Sequence, residues 1–211
     1  PLAAGRQYFA SLPADEVRTV LSRYGLSAGY LLFVGTIEPR KGVDTILRAL
    51  ALLQQSGGVV PPMVLVGKAG WKTEGIMALP AQLAIQPLVR FLDYVADEDL
   101  PALYQGASLF LYPSFYEGFG LPVLEAMASG TPVITSRSSS LPEVAGEAAV
   151  YVDAGDVTGL ARAIGECLAK AELRQLLRQR GLDQAKHFSW RKTAQQTLQV
   201  FEQCQNDQGA E

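Results

Sequence analysis

Pro113-Ser-Phe-Tyr-Glu-Gly-Phe-Gly-Leu-Pro-Val-Leu-Glu-Ala-Met-Ala-Ser-Gly-Thr-Pro132 stands between two apolar runs, at 108–112 and 133–135. Both runs read as buried strands. Between them the sequence predicts a glycine-bearing loop, then a short helix over 121–129. Gly130 sits where helices stop. Pro122 fits a first helical turn, where its missing N–H is not needed. The helix therefore opens directly after Gly118-Phe119-Gly120, and its free N–H groups face that loop. Such an end attracts anions, and glycine lets a ligand approach the backbone closely. Glu117 stands at the mouth of the loop. Glu125 lies about one turn inside the helix, too deep for the N-terminus alone to explain its charge. On pattern alone, Glu117 reads equally well as a solvated loop acid, and Glu125 as a helix acid favoured by the dipole.

Working outward, residues 1–14 lack clear periodicity and read as a linker. Residues 15–24 fit an amphipathic helix, with Gly25 as the stop. The solid apolar run Tyr30-Leu-Leu-Phe-Val34 suggests a strand buried on both faces, as in a parallel sheet. Elements then alternate: a helix over 42–55, a strand over 63–66, a helix over 73–86 that Pro80 makes irregular, and a strand over 89–92. Asp97 reads as the N-cap of a helix running to Gln105. After the central stretch come a short helix over 141–144, a strand over 149–152 and three closing helices. Six strands alternating with helices predict an α/β fold. It is a doubly wound parallel six-stranded Rossmann-like sheet with helices on both faces and extra C-terminal helices. Residues 1–211 read as one domain. Ligands of such sheets bind beyond the C-terminal ends of the strands.

Composition narrows the classes. Of the 211 residues, 48% are hydrophobic and 18% charged, enough for a substantial core and too few charges for long disordered tracts. A net charge of −3 gives no global electrostatic reason to expect nucleic acid as a partner. No apolar run reaches the length of a membrane span, and no signal-peptide layout opens the chain. Cys167 and Cys204 read as reduced thiols, which suits a cytoplasmic setting. With His187 as the sole histidine, neither a zinc site nor a Cys-His pair is expected. No Asp-x-Asp metal motif and no phosphate-loop motif occurs. Asp97 and Asp99 are explained as capping and first-turn acids.

Gly35-Thr-Ile-Glu-Pro-Arg40-Lys41-Gly42 follows the first strand. It sets two adjacent cations beside glycines at a strand-to-helix junction. A diphosphate leaving group gains negative charge as its bond to a sugar breaks, and such charge needs cations. One contact at about 4 Å and an effective dielectric of 20 is worth on the order of 4 kcal/mol before desolvation. Only the part that grows in the transition state accelerates the reaction. The plain alternative is that lysines at helix starts are usually solvated.

The two glutamates with Glu-Gly-Phe-Gly-Leu-Pro and Leu-Glu-Ala-Met-Ala-Ser-Gly-Thr-Pro-Val around them resemble the signature of the family 4 glycosyltransferases. These are retaining enzymes with two facing Rossmann-like domains, the GT-B fold. The resemblance covers roughly 30–190 and matches the C-terminal, donor-binding domain. It implies that Glu117 meets the donor sugar and Glu125 takes the ribose hydroxyls. The backbone N–H groups of Phe119, Gly120 and Leu121, beside Gly118, then face the sugar or phosphates. The Glu-Pro-Arg-Lys-Gly run is similar to the family's Glu-Pro-x-Lys-Gly. That implies phosphate contacts from Lys41, and from Arg40 if it substitutes for an arginine that many members carry where this chain has Thr36. With Glu117, these cations form the implied catalytic set. Gly35 opens their loop. Gly67-Lys-Ala-Gly-Trp71 looks like mannosyltransferase-like members, with Lys68 placed to touch a phosphate. The resemblance also implies that Leu92 and the residues after it run beneath the base. Trp71 reads as loop packing or as a wall of the nucleotide pocket, with packing favoured, and Ser136 and Ser138–Ser140 read as sugar contacts or a turn, with the turn favoured.

The resemblance further implies transfer of a hexose, with mannose the first guess, from a nucleoside-diphosphate sugar to an acceptor hydroxyl with retention. The expected setting is polysaccharide or glycoconjugate synthesis. No cofactor and no metal are expected. The acceptor, a glycan or lipid-linked glycan, would bind mostly on a missing N-terminal domain. Residues 1–25 would lead in from that domain, and the helix after 190 would cross back toward it. Peripheral association with the cytoplasmic membrane face is compatible with this reading. A chain of residues 1–211 alone is expected to bind donor weakly and transfer nothing.

Overall fold

The computed structural model describes residues 2–208. Six strands form one sheet: β1 (Tyr30–Val34), β2 (Met63–Val66), β3 (Val89–Leu92), β4 (Ala107–Tyr112), β5 (Val133–Ser136) and β6 (Ala149–Val152). Their order is β3-β2-β1-β4-β5-β6, and every pairing is parallel. β1, β2 and β5 are apolar or small along their whole length because helices cover both faces. The doubly wound six-stranded expectation holds.

The helices are α1 (Ala14–Arg23), α2 (Val43–Gln55), α3 (Glu74–Gln82), α4 (Leu100–Gly106), α5 (Leu121–Ala128), α6 (Leu141–Ala145), α7 (Val157–Ala169), α8 (Ala171–Ala185) and α9 (Trp190–Gln208). In one layer α2 packs against α3 and α7, while in the other α1 packs on α4 and α5 on α4 and α8. The α2 stripe Val43, Ile46, Leu47 and Leu50 is fully buried. Its spacing is that of one helical face, and a Leu→Ala change there removes about 2–5 kcal/mol.

Three sequence expectations shift. The helix of residues 100–106 starts later than a cap at Asp97 requires. Asp99 holds the position before it but caps nothing. Its carboxylate instead accepts from Arg23 Nη2 at 2.8 Å and the Tyr24 hydroxyl at 2.7 Å, which ties α4 to α1. Second, Pro80 lies inside α3, and the helix ends two residues beyond it, followed by Ala84 at φ +56°. Proline offers no N–H to the carbonyl of Ile76 four residues back, so this short helix lacks one of its internal bonds. Third, residues 3–12 do not hang loose. Arg6–Phe9 forms a 3-10 turn, and Ala3, Ala4 and Tyr8 are buried. Gln105 of α4 pins this segment, accepting from Leu12 N at 3.1 Å and donating to Ala10 O at 2.7 Å.

The chain runs outward from β1 through β2 to β3, then returns across β1 to start β4. The loops after β1 and β4 therefore diverge to opposite faces, and this switch point is where open α/β sheets form a crevice.

Candidate functional site

Each loop beyond the strands is set by backbone chemistry before any side chain acts. After β1, residues Pro39–Lys41 make a 3-10 turn that Gly42, at φ +69°, bends into α2. A β-carbon at position 42 would collide with the carbonyl oxygen of Pro113, so only glycine lets the two loops approach this closely. The loops after β1 and β2 zip together through Ile37 N–H to Lys68 O at 3.0 Å and Gly70 N–H to Ile37 O at 2.9 Å.

Lys41 is carried by this turn into the crevice. Its Nζ donates to Glu117 Oε1 at 2.7 Å and to the Tyr112 hydroxyl at 2.8 Å. The Ser114 hydroxyl gives the same carboxylate oxygen a second bond at 2.7 Å. Arg40 Nη1 lies 3.4 Å from the other oxygen, Oε2, and Arg40 Nη2 donates to Glu38 Oε1 at 2.6 Å. Burial alone would favour a protonated Glu117. The hydrogen bonds from Lys41 and Ser114 and the Lys41 charge outweigh it and hold the pKa below the ordinary 4.5. Glu117 is thus a buried carboxylate that stays ionised, suited to accept hydrogen bonds and unsuited to give a proton.

Three serines fasten the loop that carries Glu117. Ser139 Oγ accepts from Glu117 N–H at 2.8 Å, and Ser140 Oγ bonds the carbonyls of Glu117 and Phe119 at 3.0 and 2.9 Å. Ser136 Oγ donates to Ser114 O. Gly120 then takes φ +102° and opens α5. The backbone N–H groups of Phe119, Gly120 and Leu121 meet no acceptor among the described residues. They form a donor set at a helix start, the arrangement that holds anions. Phe119 is braced from the far end of the chain by Phe188, edge-on at 5.9 Å between ring centroids.

Glu125 sits apart from this cluster. Its Oε2 accepts from the Tyr104 hydroxyl at 3.0 Å. Burial pushes its pKa from 4.5 to about 7, against the hydrogen bond from Tyr104 and the influence of the nearby Tyr8 phenol, and with a smaller push from the Asp97 charge.

The structure therefore joins Arg40, Lys41 and Glu117 directly and sets Gly118–Leu121 beside them. Gly35 passes its N–H to Val66 O at 2.9 Å and starts the same loop. The Lys68 side chain is exposed and makes no hydrogen bond or ion pair among the described residues. Leu92 contributes its carbonyl to Gly67 N–H at 2.9 Å, on the rim. Trp71 is exposed, and its indole donates to Glu38 Oε2 at 2.9 Å, so it ties the second loop to the first. Sequence reasoning passed over Tyr112, Ser114 and Tyr104, and favoured a turn over a sugar contact for Ser136, Ser139 and Ser140. A serine two residues past a strand was the one local signal for Ser114. Among the described residues no cluster of histidine, cysteine or carboxylate groups can hold a metal ion. No helix among them is long and apolar enough to cross a membrane.

This fold, with paired cations and a buried carboxylate at its switch point, belongs to a known class. Residues 26–184 match the model of the glycosyl transferases group 1, and the chain belongs to that family. It is 42% identical over 201 residues to O-antigen chain mannosyltransferase B of Escherichia coli, an alignment covering 95% of this chain and 52% of that protein. It is 37% identical to a D-inositol 3-phosphate glycosyltransferase of Salinispora tropica, covering 92% of this chain and 43% of that one. The chain thus spans about half the length, or less, of these curated relatives. Among solved structures, sucrose-phosphate synthase of Thermosynechococcus elongatus superposes with a TM-score of 0.82 at 27% identity. That match covers 97% of this chain and 52% of that one. The C-terminal domain of a Francisella tularensis group 1 glycosyl transferase superposes over 97% of its own length and 87% of this chain, with a TM-score of 0.71 at 22% identity, a likeness of fold.

Proposed function

We propose that this chain is the donor-binding part of a retaining glycosyltransferase that takes a hexose, mannose by first choice, from a nucleoside-diphosphate sugar. The observation that carries the reading is the contact of Lys41 and Arg40 with Glu117 at the mouth of the open start of α5. In this reading the diphosphate lies against Lys41, Arg40 and the free N–H groups of Phe119, Gly120 and Leu121, with Lys68 at the rim. Glu38, Arg40, Lys41 and Glu117 balance one another without ligand. An incoming diphosphate adds negative charge that the α5 start and the half-exposed Arg40 are placed to meet. Arg40 then serves where other members place an arginine at the position of Thr36. Glu117 accepts sugar hydroxyls, Glu125 accepts the ribose hydroxyls, and the base lies along the loop after Leu92. The leaving phosphate takes the acceptor's proton, which fits a site whose nearest carboxylate stays ionised. The similarity to an O-antigen mannosyltransferase supports mannose and a glycan acceptor. The acceptor would bind on a further domain, in polysaccharide synthesis on the cytoplasmic side, with peripheral membrane association compatible.

Calorimetry of the protein against GDP, UDP, ADP and their sugars tests this. One base should bind clearly best, with affinity equal in EDTA and in magnesium. No binding to any of them rejects the reading. A large gain with magnesium or manganese rejects the metal-free phosphate site.

A further inference from the structure

Glu125 is held from behind by residues with no place in the donor site so far. Tyr104 is fully buried in α4, and its hydroxyl reaches Glu125 Oε2 at 3.0 Å. Its backbone is fixed in turn, because its carbonyl accepts from Thr131 Oγ1 at 2.7 Å, just past α5. The Tyr104 ring meets the Tyr8 ring edge-on, with centroids 5.8 Å apart. Tyr8 belongs to the 3-10 turn Arg6–Phe9, which packs on α5. The same segment is tied to α4 by Gln105 at Ala10 and Leu12. A buried phenol hydroxyl needs a partner, and here that partner is the one carboxylate on the inner turn of α5.

We infer that Tyr104 and Tyr8 are positioning residues that aim the Glu125 carboxylate at the nucleotide, so that the segment before α1 becomes part of the donor site. The inference rests on the proposal that Glu125 receives the ribose. The physical reason is geometric: a hydrogen bond to one oxygen fixes the carboxyl plane and leaves the lone pairs of the other for a ligand. Both tyrosines also favour the charged form of a carboxylate that burial disfavours. The other titratable groups that act on it are Asp97, in the turn before α4, and Tyr112, at the end of β4. Asp97 opposes the charged form, so the tyrosines are the groups that keep the acid usable near neutral pH.

The test is nucleoside-diphosphate affinity of the full chain as a function of pH, with Tyr104→Phe, Tyr8→Phe and Glu125→Gln. The base is the one that binds best to the unmodified protein. Tyr104→Phe should weaken binding about tenfold at pH 7.5, the order expected for losing one hydrogen bond to a charged group. Its pH midpoint should move upward, with much of the loss regained at pH 9. Tyr8→Phe should shift the midpoint the same way by less. An unmoved midpoint in variants with native circular dichroism, whether affinity holds or falls equally at every pH, overturns the positioning role. Glu125→Gln separates the two proposals. If it binds as the parent does at every pH, the ribose assignment itself fails and this inference fails with it. If it weakens binding while both tyrosine variants behave as the parent, only the positioning role is lost.

Discussion

Lys41 Nζ rests 2.7 Å from Glu117 Oε1 across 76 positions of sequence, with both side chains about nine-tenths buried. Neither charge has an easy route to water, so each depends on the other. Removing one member of such a pair strands the second. Lys41→Met should therefore destabilise the protein by about 2–4 kcal/mol, at the low side of that range if Arg40 moves in. Urea denaturation would measure it, and a change below about 0.5 kcal/mol would show that Arg40 and Ser114 carry the carboxylate unaided.

Glu117→Ala separates sugar from nucleotide. If the carboxylate accepts sugar hydroxyls, the variant should lose more affinity for the nucleotide-sugar than for the bare diphosphate, by about 1.5–3 kcal/mol. The bare diphosphate should bind as well or better, since Lys41 and Arg40 lose their anion. Equal losses for both ligands would move Glu117 away from the sugar.

Glu125 makes unliganded stability depend on pH in an unusual direction. Its pKa rises from 4.5 in the unfolded chain to about 7 in the folded one, chiefly through burial. The folded state thus holds the proton more tightly. Its contribution is complete below 4.5 and is lost as pH rises through about 7. Glu117 works the other way, but only as pH falls below 4.5. Between pH 5 and 8 the parent should accordingly melt at higher temperature toward pH 5, and Glu125→Gln should flatten that slope. The same slope in both proteins would assign it to other groups.

Gly42→Ala tests how tightly the two loops are fitted. The new methyl meets the Pro113 carbonyl in a backbone conformation, φ +69°, that alanine resists. A loss of about 2 kcal/mol or more is expected, above the usual cost of a left-handed residue. Diphosphate affinity should fall with it, because Lys41 is displaced. A neutral change in melting temperature would mean that the loops yield.

The parallel sheet could be read from β1 and β2 because strands buried on both faces leave uninterrupted apolar runs. The loop from Pro113 to Gly120 could be read because glycine, proline and acid stand at fixed offsets along one stretch. Asp99 could not be told from Asp97. Neither caps α4, and which of them pairs depends on Arg23 and Tyr24, distant in sequence. Tyr104 and Ser114 escaped for the same reason, since a hydroxyl signals nothing until its partner is known. Residues 3–12 carry no periodicity, because a 3-10 turn buries single side chains such as Tyr8 and not a stripe.

The strand order also fixes when the crevice comes into being as the chain is made. β1 is finished early, yet its neighbour on one side is β4, with Tyr30 paired to Ala107. Until β4 has left the ribosome, the first three strands present an open, apolar edge. Lys41 has no carboxylate to meet before Glu117 follows. A nascent chain stalled between the two is therefore a sticky intermediate that lacks the Lys41–Glu117 pair. If the chain binds a nucleotide as proposed, one added during synthesis cannot speed the early steps and can only trap the product once both halves have closed.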